Sequence, residues 1–333
     1  MITNDNEKLK IIFYSAKEYE KNVFMPLLKQ YGYEAKFIQN KLFADSAVFS
    51  FGCDVASIFT SDRVDKDTID ELKEAGVKLL ALRCAGYNNV DIEYARGKIG
   101  IVRVPAYSPE AIAEYAMALT LGIIRNTHRA YFRTKDYNFD ISSLMGFNIC
   151  GKTIGVLGEG KIGRAYINIC KGFGAKILVS TPHPANIEGV KYVSVDELLK
   201  NSDIISLHCP LTKETNHIID RKQIETMKDG VVIINTARGA LIDTSALIEG
   251  IKSGKIRGAG IDVYENEDNV FMKDYSSEIM VDDTLSRLIS FPNVIVSSHQ
   301  AFYTLEAIEA IAKITINNIK EYMTYGKAEN EIK

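Results

Sequence analysis

The sequence predicts an α/β protein of two open, doubly wound parallel sheets, and three observations carry that prediction. Short β-rich apolar runs alternate with amphipathic stretches from one end of the chain to the other, the order that builds parallel sheets with helices on their faces. A glycine-rich strand–turn–helix, Gly155-Val-Leu-Gly158-Glu-Gly160-Lys-Ile-Gly163, stands in the middle of the chain and not at its start. A helical pattern at residues 305–325 follows the last strand and is too long for a simple crossover, so it is expected to return to the first domain. The implied layout is discontinuous: residues 1–103 and 300–333 form one domain, and residues 104–299 form a second domain inserted into it.

In the first third, strands are expected at residues 10–14, 55–59, 77–82 and 101–104, with helical stretches between them such as 67–74. Ser108 before Pro109 is a strong helix start, a capping hydroxyl followed by proline at the first helical position. The helix from Glu110 to about Asn126 is apolar over most of its surface. Because Glu110, Glu114 and Arg125 interrupt it, it reads as a buried connector and not as a membrane span. A second α/β series opens with a strand at 153–157, the glycine turn, a helix from Ile162 and a strand at 176–180. Ser194-Val-Asp-Glu197 is a capping box that starts the next helix. Further strands are expected at 204–208, 231–235, 258–262 and 294–297. Residues 268–292 are longer than an ordinary connection and read as an ordered insertion carrying a helix at 283–289.

Composition narrows the function classes. A chain of 333 residues has room for two cores. Its net charge of -3 gives no reason to expect nucleic acid or an anionic membrane as partner. The five cysteines (Cys53, Cys84, Cys150, Cys170 and Cys209) form no CxxC pair. They read as reduced thiols, not as a disulfide frame or a zinc site. The opening Met-Ile-Thr-Asn-Asp-Asn-Glu-Lys lacks the basic-then-apolar order of a secretory signal, and no uncharged apolar run reaches bilayer length. The expectation is a cytoplasmic protein.

The glycine turn follows a strand and opens a helix, the context that a dinucleotide fingerprint requires. Gly158 permits the tight turn, Gly160 lets backbone approach a pyrophosphate, and Gly163 lets the helix pack on the strand. Lys161 and Ile162 stand at the helix start, where free N–H groups receive an anion. An acid normally ends the second strand of such a unit, about 20 residues on, to hold the ribose hydroxyls. Here Thr181 occupies that position, and only His183 offers a cationic group nearby. The dinucleotide could therefore carry a 2′-phosphate or lack one.

Three later strands end in different functional groups. Residues 231–235 lead to Arg238-Gly239, residues 258–262 lead into the acidic run Asp262-Val-Tyr-Glu-Asn-Glu267, and residues 294–297 lead to His299. Ligands of an open parallel sheet lie beyond the carboxyl ends of its strands. A guanidinium can hold a carboxylate bidentately. An imidazole can give or take a hydroxyl proton, and a carboxylate beside it orients the ring and favours its charged form. Together they suit hydride transfer on a 2-oxo or 2-hydroxy acid. Spacing leaves Glu265 and Glu267 equivalent. His128 and His217 read as surface or packing residues, and His208, beside Cys209-Pro210, reads as a neighbour of the cofactor.

These stretches, with Leu82-Arg-Cys-Ala-Gly-Tyr-Asn-Asn89, Val104-Pro-Ala-Tyr-Ser-Pro109, Ser206-Leu-His-Cys-Pro210, Asn235-Thr-Ala-Arg-Gly-Ala-Leu-Ile-Asp243 and Ser298-His-Gln-Ala-Phe-Tyr303, give a resemblance over almost the whole chain. The chain resembles the D-isomer-specific 2-hydroxyacid dehydrogenases, and within them the fermentative D-lactate branch, with which it shares an insertion at 270–283. The resemblance implies two Rossmann-like doubly wound domains: a flavodoxin-like substrate domain and a dinucleotide-binding domain. It implies Arg238, Glu267 and His299 as the catalytic set, selecting Glu267 over Glu265. It implies Ala85 and Gly86 as backbone donors to the substrate carboxylate, and Phe59, Tyr107 and Phe302 as pocket residues. Cys209, Pro210, Thr236, Ala237 and Asp262 match cofactor contacts. The implied reaction is reduction of pyruvate to D-lactate, with the substrate entering between the domains. NAD(H) is the implied cofactor, with NADP(H) left open by Thr181. The implied assembly is at least a homodimer, for which the apolar helix from Glu110 is a candidate surface.

Two other readings stand beside this one. The pocket aromatics leave room for a bulkier acid such as phenylpyruvate or 2-oxoisocaproate. A cofactor-sensing binding protein on the same fold is the reading from another class, although the sequence has no appended tail or basic patch and keeps the Arg–Glu–His set.

Overall fold

In the computed structural model, which describes residues 8–271 and 273–333, the chain divides into two compact units. Unit 1 comprises residues up to Ser108 together with Thr304–Lys333, and unit 2 is Pro109–Tyr303. Residues 1–7, on which the secretory-signal reading rested, and Met272 of the insertion lie outside the described residues.

Unit 1 is built on five parallel strands: β1 (Lys10–Phe13), β2 (Glu34–Phe37), β3 (Val55–Ile58), β4 (Leu79–Leu82) and β5 (Gly100–Arg103). Their spatial order is β2-β1-β3-β4-β5, the flavodoxin-like arrangement. β3 and β4 are buried along their whole length, as central strands covered on both faces must be. β2 was not legible in the sequence. It is an edge strand, Glu-Ala-Lys-Phe, whose residues alternate between exposed and half-buried, and it carries no β-branched residue. Asp65 caps the helix Lys66–Glu74 by accepting from the Thr68 N–H, which starts it one residue before the expected position. The closing helix Leu305–Tyr325, capped by Thr304, packs on β4, β5 and the helix Glu18–Tyr31.

Beyond the carboxyl ends of β1, β3 and β4 lies a buried polar network. Arg83, fully buried, donates to Glu20 Oε1 at 2.8 Å, to Ser57 Oγ at 3.1 Å and to the Tyr14 carbonyl at 2.8 Å. Asp62 accepts from the Phe59 N–H, the Leu42 N–H and the Ser15 hydroxyl at 2.6–2.8 Å. A buried charge is tolerated only when paired and hydrogen-bonded. Here that requirement fixes the loops that follow β3 and β4.

Unit 2 holds seven parallel strands: β6 (Thr153–Leu157), β7 (Lys176–Ser180), β8 (Val190–Tyr192), β9 (Ile204–Leu207), β10 (Val231–Asn235), β11 (Ile256–Ile261) and β12 (Val294–Val296). Their order is β12-β11-β10-β9-β6-β7-β8, so the strand order reverses at β6. This is the Rossmann arrangement with one added strand. Alternate residues serve opposite faces. Ile154, Val156, Ile204, Val232 and Ile234 enter one core with the helices Pro109–Arg125 and Lys161–Gly172. Leu157, Ile205, Leu207, Val231 and Ile233 enter the other. The short edge strand β8 is the second strand absent from the sequence reading.

The helix expected from Glu110 runs Pro109–Arg125. It stops where Asn126 takes a left-handed conformation, φ 53°, and a second helix, Thr127–Lys135, follows. Its Ala113, Ala116, Met117, Leu119, Ile123 and Ile124 are buried inside unit 2, while Ala118 is exposed and Ile112, Tyr115 and Leu121 are half-buried. The Ser194 hydroxyl accepts from the Glu197 N–H at 3.2 Å, while the Glu197 carboxylate pairs with Lys191; only half of the expected capping box forms. The insertion carries the helix Asp283–Ile289. Among the described residues, no helix is long and apolar enough to cross a membrane.

Candidate active site

The glycine turn is shaped by close approach. Gly158, at φ 97°, lies against the backbone of His208 and Cys209, where a Cβ would sit 2.7 Å from the Cys209 nitrogen. Its N–H donates to the Ser180 carbonyl at the end of β7. A Cβ on Gly163 would collide with the Gly158 carbonyl oxygen, whereas beside Gly160 there is open space. The chain is therefore pressed together on one side of the turn and open on the other. The open side is where Gly160 caps the helix Lys161–Gly172, and unpaired N–H groups at a helix start attract phosphate. These residues fit a dinucleotide pyrophosphate. Thr181 is half-buried and His183 exposed just beyond β7.

At the end of β9, His208 Nε2 lies 2.8 Å from Ser206 Oγ, and its ring packs against Tyr166. Burial pushes its pKa down to about 3, so it is a neutral packing group at physiological pH. Cys209 is half-buried and Pro210 exposed.

The end of β10 is held by one side chain. Asn235 accepts from the Ala237 N–H at 3.0 Å and donates to the Arg238 carbonyl at 2.8 Å. Thr236 is buried, and its hydroxyl has no hydrogen-bond partner in the protein, as suits a group awaiting a ligand. Arg238 Nη1 donates to the Ala237 carbonyl at 2.6 Å. A side chain on Gly239 would strike the backbone of Tyr264 and Glu265, so the Arg238 turn lies directly on the loop that leads to Glu267.

That loop resolves the acidic cluster. Glu267 Oε1 is 2.6 Å from His299 Nδ1, and Oε2 accepts from the Tyr264 N–H at 2.9 Å. Glu265 is committed elsewhere: it pairs with His217 Nε2 at 2.6 Å and accepts from the Thr244 N–H and hydroxyl. Since Nδ1 of His299 faces Glu267, Nε2 is the ring nitrogen turned away from the carboxylate. His299 itself sits at φ 52°, a conformation that costs a non-glycine residue energy and persists only where the surroundings enforce it.

Asp262 supplies that enforcement. Its carbonyl accepts from the His299 N–H at 2.7 Å. Its fully buried carboxylate accepts from the Ser297 hydroxyl at 2.6 Å, the Gln300 N–H at 3.0 Å and the Ala301 N–H at 2.9 Å. Sequence reasoning placed Asp262 against the cofactor and did not foresee that its side chain holds the His299 loop. Asn235 was also missed as a clamp, although an Asn three residues before the arginine was a readable signal. The insertion adds a further tie, since the Tyr264 hydroxyl donates to Asp282, the cap of the helix Asp283–Ile289.

Of the remaining site residues, Phe302 is buried in unit 2 with its ring edge-on to Tyr303. The others belong to unit 1. Phe59 follows β3, and its carbonyl accepts from Asn89. Ala85 and Gly86 follow β4, with the Ala85 carbonyl taking Arg103 at 2.7 Å and the Gly86 carbonyl taking the Cys84 thiol. Among the described residues, no protein acceptor takes either N–H. Tyr107 is half-buried beyond β5.

Sequence reasoning also passed over Glu159, between the first two glycines. It is 5 % exposed, and its Oε2 accepts from the Ala185 N–H at 3.1 Å.

The family model for the D-isomer specific 2-hydroxyacid dehydrogenase NAD binding domain matches residues 117–301. The chain is 44 % identical to the D-lactate dehydrogenase of Escherichia coli over 329 residues, covering 97 % of this chain and all of that protein. It superposes on the structure reported in an identification of the pyruvate reductase of Chlamydomonas reinhardtii with a TM-score of 0.91 at 40 % identity, covering 95 % of this chain and 97 % of the other. It also matches D-lactate dehydrogenase with NAD+ from Lactobacillus jensenii, with a TM-score of 0.84 at 31 % identity, covering 98 % of this chain and all of that one.

Proposed function

Since the chain belongs to the D-isomer-specific 2-hydroxyacid dehydrogenase family, we propose that it reduces pyruvate to D-lactate at the expense of NADH. The observation that carries this reading is the His299 Nδ1–Glu267 pair at 2.6 Å, which leaves Nε2 to meet a substrate oxygen. The bound nicotinamide supplies the hydride. Arg238 holds the substrate carboxylate, so that the 2-oxo group has one orientation, and the family resemblance implies that the N–H groups of Ala85 and Gly86 share that task. His299 donates a proton from Nε2 to the carbonyl oxygen, and Glu267 holds the ring in the orientation that presents Nε2. Asp262 and Asn235 keep His299 and Arg238 in place. Phe59, Tyr107 and Phe302 bound the space for the substrate methyl group. Thr236, Ala237, Cys209 and Pro210 contribute to the cofactor site, and a cytoplasmic location accords with the reduced thiols.

Steady-state kinetics with NADH against pyruvate, phenylpyruvate and 2-oxoisocaproate tests the assignment. Pyruvate is expected to give the highest kcat/KM. A higher value for either bulkier acid would overturn the substrate assignment, and dinucleotide binding without turnover on any 2-oxo acid would favour the cofactor-sensing protein.

The same reading includes a homodimer. Beside the part-exposed face of the helix Pro109–Arg125, the segment after it is a candidate surface, with Tyr131, Phe132, Tyr137, Phe139, Ile141 and Met145 all exposed. A run of apolar side chains this exposed marks a contact surface, and a second copy is the partner that the family resemblance implies. Light scattering is expected to give twice the 37.1 kDa chain mass, and Phe139→Asp with Ile141→Asp should shift it to the monomer. A monomeric wild-type protein would sink the assignment.

A further inference from the structure

The end of β7 lacks the acid that holds adenosine ribose hydroxyls, yet an acid from the glycine turn reaches the loop that follows it. Glu159 leaves the glycine turn one residue after Gly158, whose N–H is bonded to the Ser180 carbonyl at that strand end. Its side chain extends to the loop beyond β7, where Oε2 accepts from the Ala185 N–H at 3.1 Å. The carboxylate thus bridges the two segments between which Thr181 stands. The side chain is only 1 % exposed, and among the described residues Oε1 has no hydrogen-bond partner. The nearest cation, Arg164, keeps its Nε 3.6 Å from Oε1 while donating to the Glu159 carbonyl at 3.2 Å. A buried carboxylate oxygen without a donor is costly. Cofactor hydroxyls brought to this loop are donors of the right kind.

We propose that Glu159 performs the task for which Thr181 is unsuited: its carboxylate accepts from the adenosine ribose hydroxyls and excludes a 2′-phosphate, making the site selective for NAD(H). The proposal rests on the dehydrogenase reading of the glycine turn. Repulsion between the carboxylate and a phosphate dianion opposes NADPH, and the lost hydrogen bond to the 2′-hydroxyl weakens it further. Arg164 and exposed His183 are the cationic groups that would attract a 2′-phosphate if the Glu159 charge were removed.

Equilibrium binding, read by the nicotinamide fluorescence of NADH and NADPH, tests the proposal without turnover. Wild-type protein is expected to bind NADH at least about tenfold more tightly than NADPH, the size of one charge-assisted hydrogen bond. Glu159→Gln should remove most of that ratio by weakening NADH and strengthening NADPH, and adding Thr181→Asp should restore it. A variant that merely loosens the loop weakens both ligands and leaves the ratio unchanged; that result overturns the proposal. Competition on wild-type protein needs no variant: 5′-AMP should displace NADH better than 2′,5′-ADP, and the reverse order overturns the proposal. If both dinucleotides bind but the ratio is insensitive to Glu159, only the proposal fails. If wild-type protein binds neither, the dehydrogenase reading falls with it.

Discussion

His299→Ala is expected to lower kcat for 2-oxo acid reduction by about 10²–10⁴-fold, the usual contribution of a positioned general acid. The imidazole does two things that alanine cannot. It donates a proton as negative charge develops on the substrate oxygen, and it presents Nε2 in one orientation because Nδ1 is fixed by Glu267 at 2.6 Å. The substrate carboxylate is assigned to other groups, so KM should change less than kcat, the pattern of an interaction made chiefly in the transition state. NADH binding by fluorescence should be unchanged, which separates lost chemistry from lost folding. The wild-type pH profile carries the same assignment with a definite sign. Reduction consumes a proton delivered by the ring, so its kcat/KM should fall as pH rises. Oxidation of the hydroxy acid needs the neutral ring and should fall in the opposite direction. Retention of a third or more of wild-type kcat by His299→Ala would remove the residue from the mechanism.

The reasons that such a site can be read from a sequence also set the limits of that reading. Central strands such as β9 and β10 are buried on both faces, so they appear as short runs dominated by Ile, Val and Leu, and the groups just beyond them can be located to a residue. Edge strands β2 and β8 escape because one side of each is open to solvent and little apolar surface is required of them. Glu265 and Glu267 could not be separated by spacing alone. What separates them is tertiary: Thr244 and His217 occupy Glu265, while β12 brings His299 to Glu267. The resemblance selected Glu267, and the hydrogen bonds give the physical cause. The tasks of Asp262 and Glu159 were hidden for a similar reason, since each depends on a loop distant in sequence, residues 297–301 for one and Ala185 for the other. The helix Pro109–Arg125 shows the converse. Its apolar surface was plain in the sequence, but only the packed unit shows which part of it, from Ala113 to Ile124, its own chain already buries.

Arg238→Gln should lower kcat/KM for the 2-oxo acid by about 10²–10³-fold, corresponding to the loss of a charge-assisted pair in a partly desolvated site. The geometry around Arg238 supports the proposed role of carboxylate ligand. Asn235 fixes the backbone on both sides of the preceding residue, accepting from the Ala237 N–H and donating to the Arg238 carbonyl. Gly239 lets the turn rest on the backbone of Tyr264 and Glu265, so the arginine is tied to the loop that ends in Glu267. Among the described residues, only Nη1 is spent on a protein acceptor, the Ala237 carbonyl. The rest of the guanidinium is left for the substrate. A planar fork with several donors can bind a carboxylate and still face the neighbouring carbonyl, whereas an ammonium is a point charge without that geometry. Arg238→Lys should therefore recover only part of the loss, roughly tenfold. Both variants should bind NADH normally and keep the wild-type shape of the pH profile, because the proton donor is untouched. A value of kcat/KM for Arg238→Gln within about threefold of wild type, too small for a buried ion pair, would show that the substrate carboxylate is held elsewhere. Full recovery by Arg238→Lys would mean that charge alone, and not the fork, is what the reaction needs.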